Sequence, residues 1–314
     1  MTMMRALLLS CLACGAHAAD PQNFLFLGTG DIAANTALIS RPDIGGVQVV
    51  YSWKSLEPEQ GRYDFSRIEQ DLAALEKMHR KLFLQIQDRF FQPEHRYVPA
   101  YLLEDPRYGG GLAPQKDNPG EKQPEGSGWV AMQWNPAVRA RHQALITALA
   151  KRFDGRVYGI NLPETAVDID PEKNSAGFDC DTYYAAEVEN IRHARRAFRK
   201  SHVVQYVNFW PCGWADERGY FTGFFELAAR ERIGVGGPDI VPNRPGQMKN
   251  SYGFMHRYKG KMSLVAMAVQ EPTLTYTNPD TQRPYTREEF VAFARDYLGV
   301  DVIFWSNASP WLAH

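Results

Sequence analysis

Eight short apolar runs govern what this chain can fold into: Phe24–Gly28, Val47–Tyr51, Leu82–Gln87, Val157–Leu162, Val203–Phe209, Ile233–Gly236, Leu264–Gln270 and Val302–Trp305. Most are rich in Val, Ile, Leu or Phe, which suits strands covered on both faces. Helix-start signals fall between them. Ser66 with Glu69 has capping-box spacing ahead of Ile68, Leu72, Leu75 and Met78, and Thr286 with Glu289 repeats it ahead of Phe290, Phe293 and Tyr297. Asn135-Pro136 is a cap and first-turn pair, and Asp181 opens a stretch through Val188, Ile191, Ala194 and Phe198. Alternation of this kind predicts a single-domain (β/α)8 TIM barrel. A doubly wound parallel sheet is the competitor, but its glycine-rich phosphate turn is only weakly echoed by Gly28-Thr29-Gly30-Asp31. Only nine residues follow Trp305, so the last helix is expected to be reduced or absent.

Two connections are long for a barrel, Phe90–Asn135 after the third run and Glu164–Phe178 after the fourth. In a barrel both lie at the C-terminal mouth, where such loops carry function. The first residues, MTMMRALLLSCLACGAHAAD, carry one basic residue, a short apolar core and an Ala16-His17-Ala18 cleavage pattern. They read as an export signal over residues 1–19, with residues 20–314 forming the barrel and an exported, periplasmic or extracellular location. Acylation at Cys11 or Cys14 is the lipoprotein alternative. No apolar stretch is long enough to span a bilayer. Without Arg5 the remaining chain has 34 basic against 36 acidic residues and no basic tract, which argues against nucleic-acid binding. Cys180 and Cys212 would then sit where a disulfide is permitted, although spacing does not pair them. With no HxH or HExxH arrangement, neither a metal nor an organic cofactor is expected.

Under the barrel reading, Glu164 in GINLPETA ends the fourth strand and Glu271 in AVQEPT ends the seventh. Two carboxylates facing each other across one mouth are the working parts of a glycosidase, one protonating the leaving oxygen and the other attacking the anomeric carbon or activating water. All seven tryptophans (Trp53, Trp129, Trp134, Trp210, Trp214, Trp305 and Trp311) fall after predicted strands or in the following loops, as in a cleft for sugar rings. Gln87, Asp88 and Arg89 close the third strand, Asn208 and Trp210 the fifth, and Asp31 follows the first. Asp88 and Arg89 are equally readable as an ion pair holding the loop.

These features resemble the clan A glycoside hydrolases, retaining enzymes on (β/α)8 barrels. The resemblance rests on WKSLEPEQGRYDFSRIEQDLAAL (Trp53–Leu75), on the run Trp134–Glu164, on AVQEPT, and on the strand-eight Trp in DVIFWSN. It implies Glu271 as nucleophile and Glu164 as acid/base, with Trp305 flooring the subsite at the scissile bond. Trp53, Gln87, Trp134, Asn161, Asn208 and Trp210 are the further substrate-contact candidates. Two departures stand out. Pro163 occupies the place where the clan has Asn, leaving Asn161 to reach the sugar 2-hydroxyl. The sixth strand lacks a Tyr to orient the nucleophile, leaving Asp239, Tyr252 or His256. Asp168 and Asp170 keep an inverting arrangement open. The expected function is hydrolysis of an oligo- or polysaccharide; the alternative is a non-catalytic glycan-binding barrel handling envelope polysaccharide. A barrel enzyme of another chemistry accounts for the glutamates but not for the tryptophans.

Overall fold

The computed structural model describes residues 19–116, 127–169, 177–270 and 275–312. All eight apolar runs are strands: β1 (Gln22–Phe26), β2 (Ile44–Ser52), β3 (Lys81–Gln87), β4 (Gly159–Leu162), β5 (His202–Tyr206), β6 (Gly234–Gly237), β7 (Val265–Val269) and β8 (Val302–Ser306). Each pairs in parallel with its neighbour in sequence, and β1 closes against β8 in the register Gln22 to Val302 through Phe26 to Ser306. The result is a (β/α)8 barrel in one domain. Helices Ser66–Lys77, Pro136–Phe153, Cys180–Ala197 and Tyr220–Glu231 cover its outside.

Strand alternation divides the apolar residues into two sets. Phe24, Phe83, Val204, Tyr206, Ala266, Ala268, Val302 and Phe304 fill the barrel interior. Leu25, Val47, Leu84, Ile160, Val203, Val235, Met267, Ile303 and Trp305 belong to the larger shell between barrel and helices. The interior is tight. A Cβ on Gly159 would lie 2.4 Å from the Phe83 ring, and one on Gly46 would lie 2.5 Å from Phe24. Glycine at these two places lets the phenylalanines cross the barrel axis.

Local signals decide where helices begin. Asn135 caps Pro136–Phe153, its side chain accepting from the Ala137 amide at 2.8 Å, and Thr286 with Glu289 closes a reciprocal capping box. The expected box at Ser66 and Glu69 does not form. Asp64 accepts from the Ser66 amide at 2.9 Å instead, and Glu69 pairs with Arg152 on the neighbouring helix and with Arg156 just beyond its end. Asp179, not Asp181, caps the helix at Cys180, leaving Asp181 to pair with Arg218. Among the described residues only the turn Pro310–Leu312 follows β8, in line with the expected reduction of the last helix.

The described residues of the connection after β3 are more ordered than its Pro, Gly and charge content predicts. Arg89–Phe90, Leu112–Lys116 and Ser127–Ala131 form a separate three-stranded sheet, with helix Ala100–Glu104 beside it. A disulfide joins Cys180 to Cys212, with the Cα atoms 6.1 Å apart, tying the helix after β4 to the loop after β5. Among the described residues no helix is long and apolar enough to cross a membrane.

Candidate active site

Glu164 stands two residues beyond β4, half-buried at the C-terminal mouth. Both of its neighbours are pinned. The Pro163 carbonyl accepts from the Gln205 side chain, and the Thr165 amide donates to the Tyr206 carbonyl at 3.0 Å. The Thr165 hydroxyl donates to the Phe209 carbonyl at 2.7 Å, and the Thr165 carbonyl accepts from the Tyr183 hydroxyl at 3.1 Å. A short segment held at this many points gives its middle side chain little freedom.

Asn208, just past β5, supplies the polar partner. Its Oδ1 accepts from the amides of Ala166 at 3.2 Å and Phe209 at 2.9 Å. That fixes the amide orientation, because the carbonyl end is committed to two N–H groups. Nδ2 therefore faces outwards and donates to Oε2 of Glu164.

Behind the segment lies Arg89, 1% exposed. Its Nη1 donates to the carbonyls of Glu164 and Ala166, the latter at 3.0 Å. Its Nε pairs with Asp88 at 3.3 Å, and Asp88 also accepts from Gln133 at 2.8 Å. Asn190 in turn donates to Gln133 at 3.1 Å. Burial works against the Arg89 charge, but Tyr183, Asp88, Glu187 and Glu164 together hold its pKa above the ordinary value. Asp88 and Arg89 thus form the ion pair that holds the loop, and Arg89 reaches Glu164 through its backbone carbonyl as well as through its charge. Glu187, also buried in this cluster, has its pKa pushed up to about 8, mainly by burial and further by Asp88, with Arg89 opposing. Its Oε1 has no hydrogen-bond partner among the described residues. Glu187 and Asn190 went unnoticed in the sequence. The available signal was two polar residues on the buried stripe Tyr183, Ala186, Ile191 and Ala194 of their helix.

The other candidates are dispersed. Gln87 is half-buried at the end of β3, on the inward alternation of Phe83, and donates to the Arg89 carbonyl at 2.7 Å. Asn161 does not reach the mouth: it is fully buried inside the barrel and accepts from Gln48 at 3.1 Å, while the same Gln48 nitrogen donates to Tyr206 at 2.9 Å. Asn208, not Asn161, brings an amide to Glu164.

The tryptophans require the largest correction. Trp305 is 1% exposed and points away from the barrel interior, because its neighbours Val302 and Phe304 take the inward positions. Its indole donates to Asn23 at 2.9 Å and packs edge-on against Trp311. It cannot floor a subsite. Trp53 is fully buried, donates to Glu57 at 2.9 Å and packs against His142. Trp134 is buried against Phe178 and Tyr183, and Trp210 against Tyr184, Tyr220 and Phe224. All four are scaffold residues here.

Of the substitutes near β6, Tyr252 is buried and its hydroxyl bridges the Asp239 carbonyl and the Val241 amide, a turn-holding role. His256 stacks on Tyr297. Asp239 is the one whose charge reaches the barrel interior, adding to burial in raising the Tyr206 pKa. Asp168 is exposed. Glu271 and Asp170 lie outside the described residues, but β7 runs to Val269 and, being parallel to β4, ends at the same mouth. Among the described residues no group of three His, Cys, Asp or Glu side chains could hold a metal ion.

No family model matches the sequence, and no curated protein matches it either. Solved structures are similar in fold. A family 39 glycoside hydrolase from Bacteroides cellulosilyticus aligns over 91% of this chain and 56% of its own, at 13% identity and a TM-score of 0.51. This chain therefore spans little more than half of that enzyme. Endo-glycoceramidase II from Rhodococcus sp. aligns over 92% of this chain and 74% of its own, at 14% identity and a TM-score of 0.54. A xylanase from Cellvibrio japonicus aligns over 94% and 90%, at 14% identity and a TM-score of 0.52. The class defined by this likeness is the (β/α)8 barrel. At such identities the likeness extends to the fold alone.

Proposed function

We propose that the protein is a glycoside hydrolase acting on an oligo- or polysaccharide, with Glu164 as general acid/base and Glu271 as nucleophile of a retaining double displacement. The observation that carries this reading is the fixing of Glu164. Its carboxylate stands at the end of β4 with a directed amide donor from Asn208, on a backbone fastened by Arg89, Thr165 and Gln205. A residue that protonates a leaving oxygen and later deprotonates water needs that positional constraint. The barrel similarity to glycoside hydrolases supports the same reading.

In the first step Glu164 gives its proton to the glycosidic oxygen as the Glu271 carboxylate bonds to the anomeric carbon. In the second, Glu164 takes a proton from water, which displaces Glu271. We further propose that residues 1–19 are an export signal. The Cys180–Cys212 disulfide supports passage into an oxidising compartment. Purified protein incubated with a panel of polysaccharides should release reducing ends from at least one, and Glu164→Gln and Glu271→Gln should each abolish the release. Glycan binding without release over a long incubation replaces this reading with that of a glycan-binding barrel.

A further inference from the structure

Three large apolar side chains are exposed among the described residues: Phe91 at 48%, Tyr97 at 40% and Trp214 at 49%. All three belong to loops at the C-terminal mouth, Phe91 and Tyr97 after β3 and Trp214 after β5, on either side of Glu164 after β4. Elsewhere the described surface has no large apolar side chain so exposed, so the most exposed ones all lie on the face where a ligand would lie.

Trp214 is held in place from behind. Its indole stacks on Phe209 with ring centroids 5.9 Å apart and planes within 6°. Phe209 directly follows Asn208, the amide donor to Glu164. The loop carrying Trp214 is strained: Cys212, Ala215 and Asp216 all have left-handed backbones, with φ of 57°, 51° and 65°. Such conformations cost free energy in non-glycine residues and persist only where surrounding bonds impose them. Those bonds are present. Cys212 is held by the disulfide, and the Ala215 amide donates to Asn250 at 2.8 Å. Asp216 accepts from the Phe221 amide at 2.8 Å and the Thr222 hydroxyl at 2.6 Å. A loop fastened at three points in a costly shape, yet leaving an indole half exposed, is not accounted for by packing.

We infer that Trp214, backed by Phe209, is a binding platform for one sugar ring of an extended carbohydrate chain on the β5 side of Glu164. A flat aromatic face suits the C–H face of a pyranose, while the ring's hydroxyls stay in water. The inference rests on the carbohydrate reading above but not on hydrolysis. The test is calorimetric titration of wild type, Trp214→Ala and Trp214→Phe with cello-, xylo- and manno-oligosaccharides of two to six units. One series should bind wild type with affinity that rises with length. Trp214→Ala should lose roughly tenfold on the longest members and little on the shortest, and Trp214→Phe should recover most of the loss. Being exposed, Trp214 can be removed with the melting midpoint unchanged, so weaker binding is not misfolding. Equal affinities in wild type and Trp214→Ala overturn the platform, whatever the catalytic outcome. Binding as described, without cleavage, overturns the hydrolase and leaves the platform standing. No binding by any series overturns the platform, and the hydrolase then stands or falls on release of reducing ends from the polysaccharide panel.

Discussion

Glu164 after β4 and Trp305 at the end of β8 occupy formally equivalent places, each delivered by a parallel strand to one mouth. Their surroundings are opposite. The β4–β5 corner is polar and incompletely enclosed, with Asn208 aimed at a half-buried carboxylate and a charged network behind it. The β8–β1 corner is sealed, with Trp305 donating to Asn23, packing against Trp311 and covered by Arg287. Strand position alone does not make a site residue. The side of the strand it occupies, and whether the next layer leaves it a polar partner, decide the matter.

Substitutions at the two corners should separate along that line. At the polar corner, Glu164→Gln should lower kcat by about a thousandfold, roughly 4 kcal/mol of transition-state stabilisation, with the melting midpoint unchanged. At the sealed corner, Trp305→Ala should cost about 3–5 kcal/mol of stability by urea unfolding, while the folded fraction keeps its kcat. Loss of kcat in folded Trp305→Ala would break the distinction. The disulfide, which spans a 32-residue separation behind the polar corner, should contribute roughly 2–4 kcal/mol. The Cys180→Ser/Cys212→Ser pair should show that deficit against oxidised wild type.

The pH dependence of stability tests the charged network. Burial pushes the Glu187 pKa up to about 8 in the folded protein, well above the ordinary glutamate value of about 4.3 expected of the unfolded chain. Between those values the folded protein holds the extra proton, so this group's contribution to stability is full at low pH, falls as pH rises, and is lost above about 8. The slope it adds is at most about 1.4 kcal/mol per pH unit. Glu187→Gln should remove it, flattening the dependence of the urea midpoint between pH 5 and 8. An unchanged slope contradicts a proton held at Glu187.

The barrel was legible because eight apolar runs of strand length have few other uses. Asn208 stood out at a strand end, but as a substrate contact and not as the partner of Glu164. The tryptophans misled because position after a strand does not reveal which side the ring takes. That follows from Val302 and Phe304 filling the interior, a consequence of the closed register. The cap at Ser66 failed for a local reason, since Asp64 reaches the same amide first. The three-stranded sheet after β3 was hidden because one of its strands, Arg89–Phe90, has two residues and no pattern. Arg89 itself looked like a loop ion pair, which it is. Its grip on the Glu164 carbonyl depends on a contact 75 residues away in sequence.

The central claim, a double displacement through two glutamates, is tested most directly by trapping its intermediate. A 2-deoxy-2-fluoro glycoside of whichever sugar is hydrolysed slows the second step, and peptide mass spectrometry then locates the bound sugar. The predicted result is one sugar ester per protein, on the peptide containing Glu271, absent in Glu271→Gln and formed in Glu164→Gln when the leaving group needs no acid. A protein that hydrolyses its substrate yet carries the label elsewhere, or yields the inverted anomer with no label at all, contradicts it.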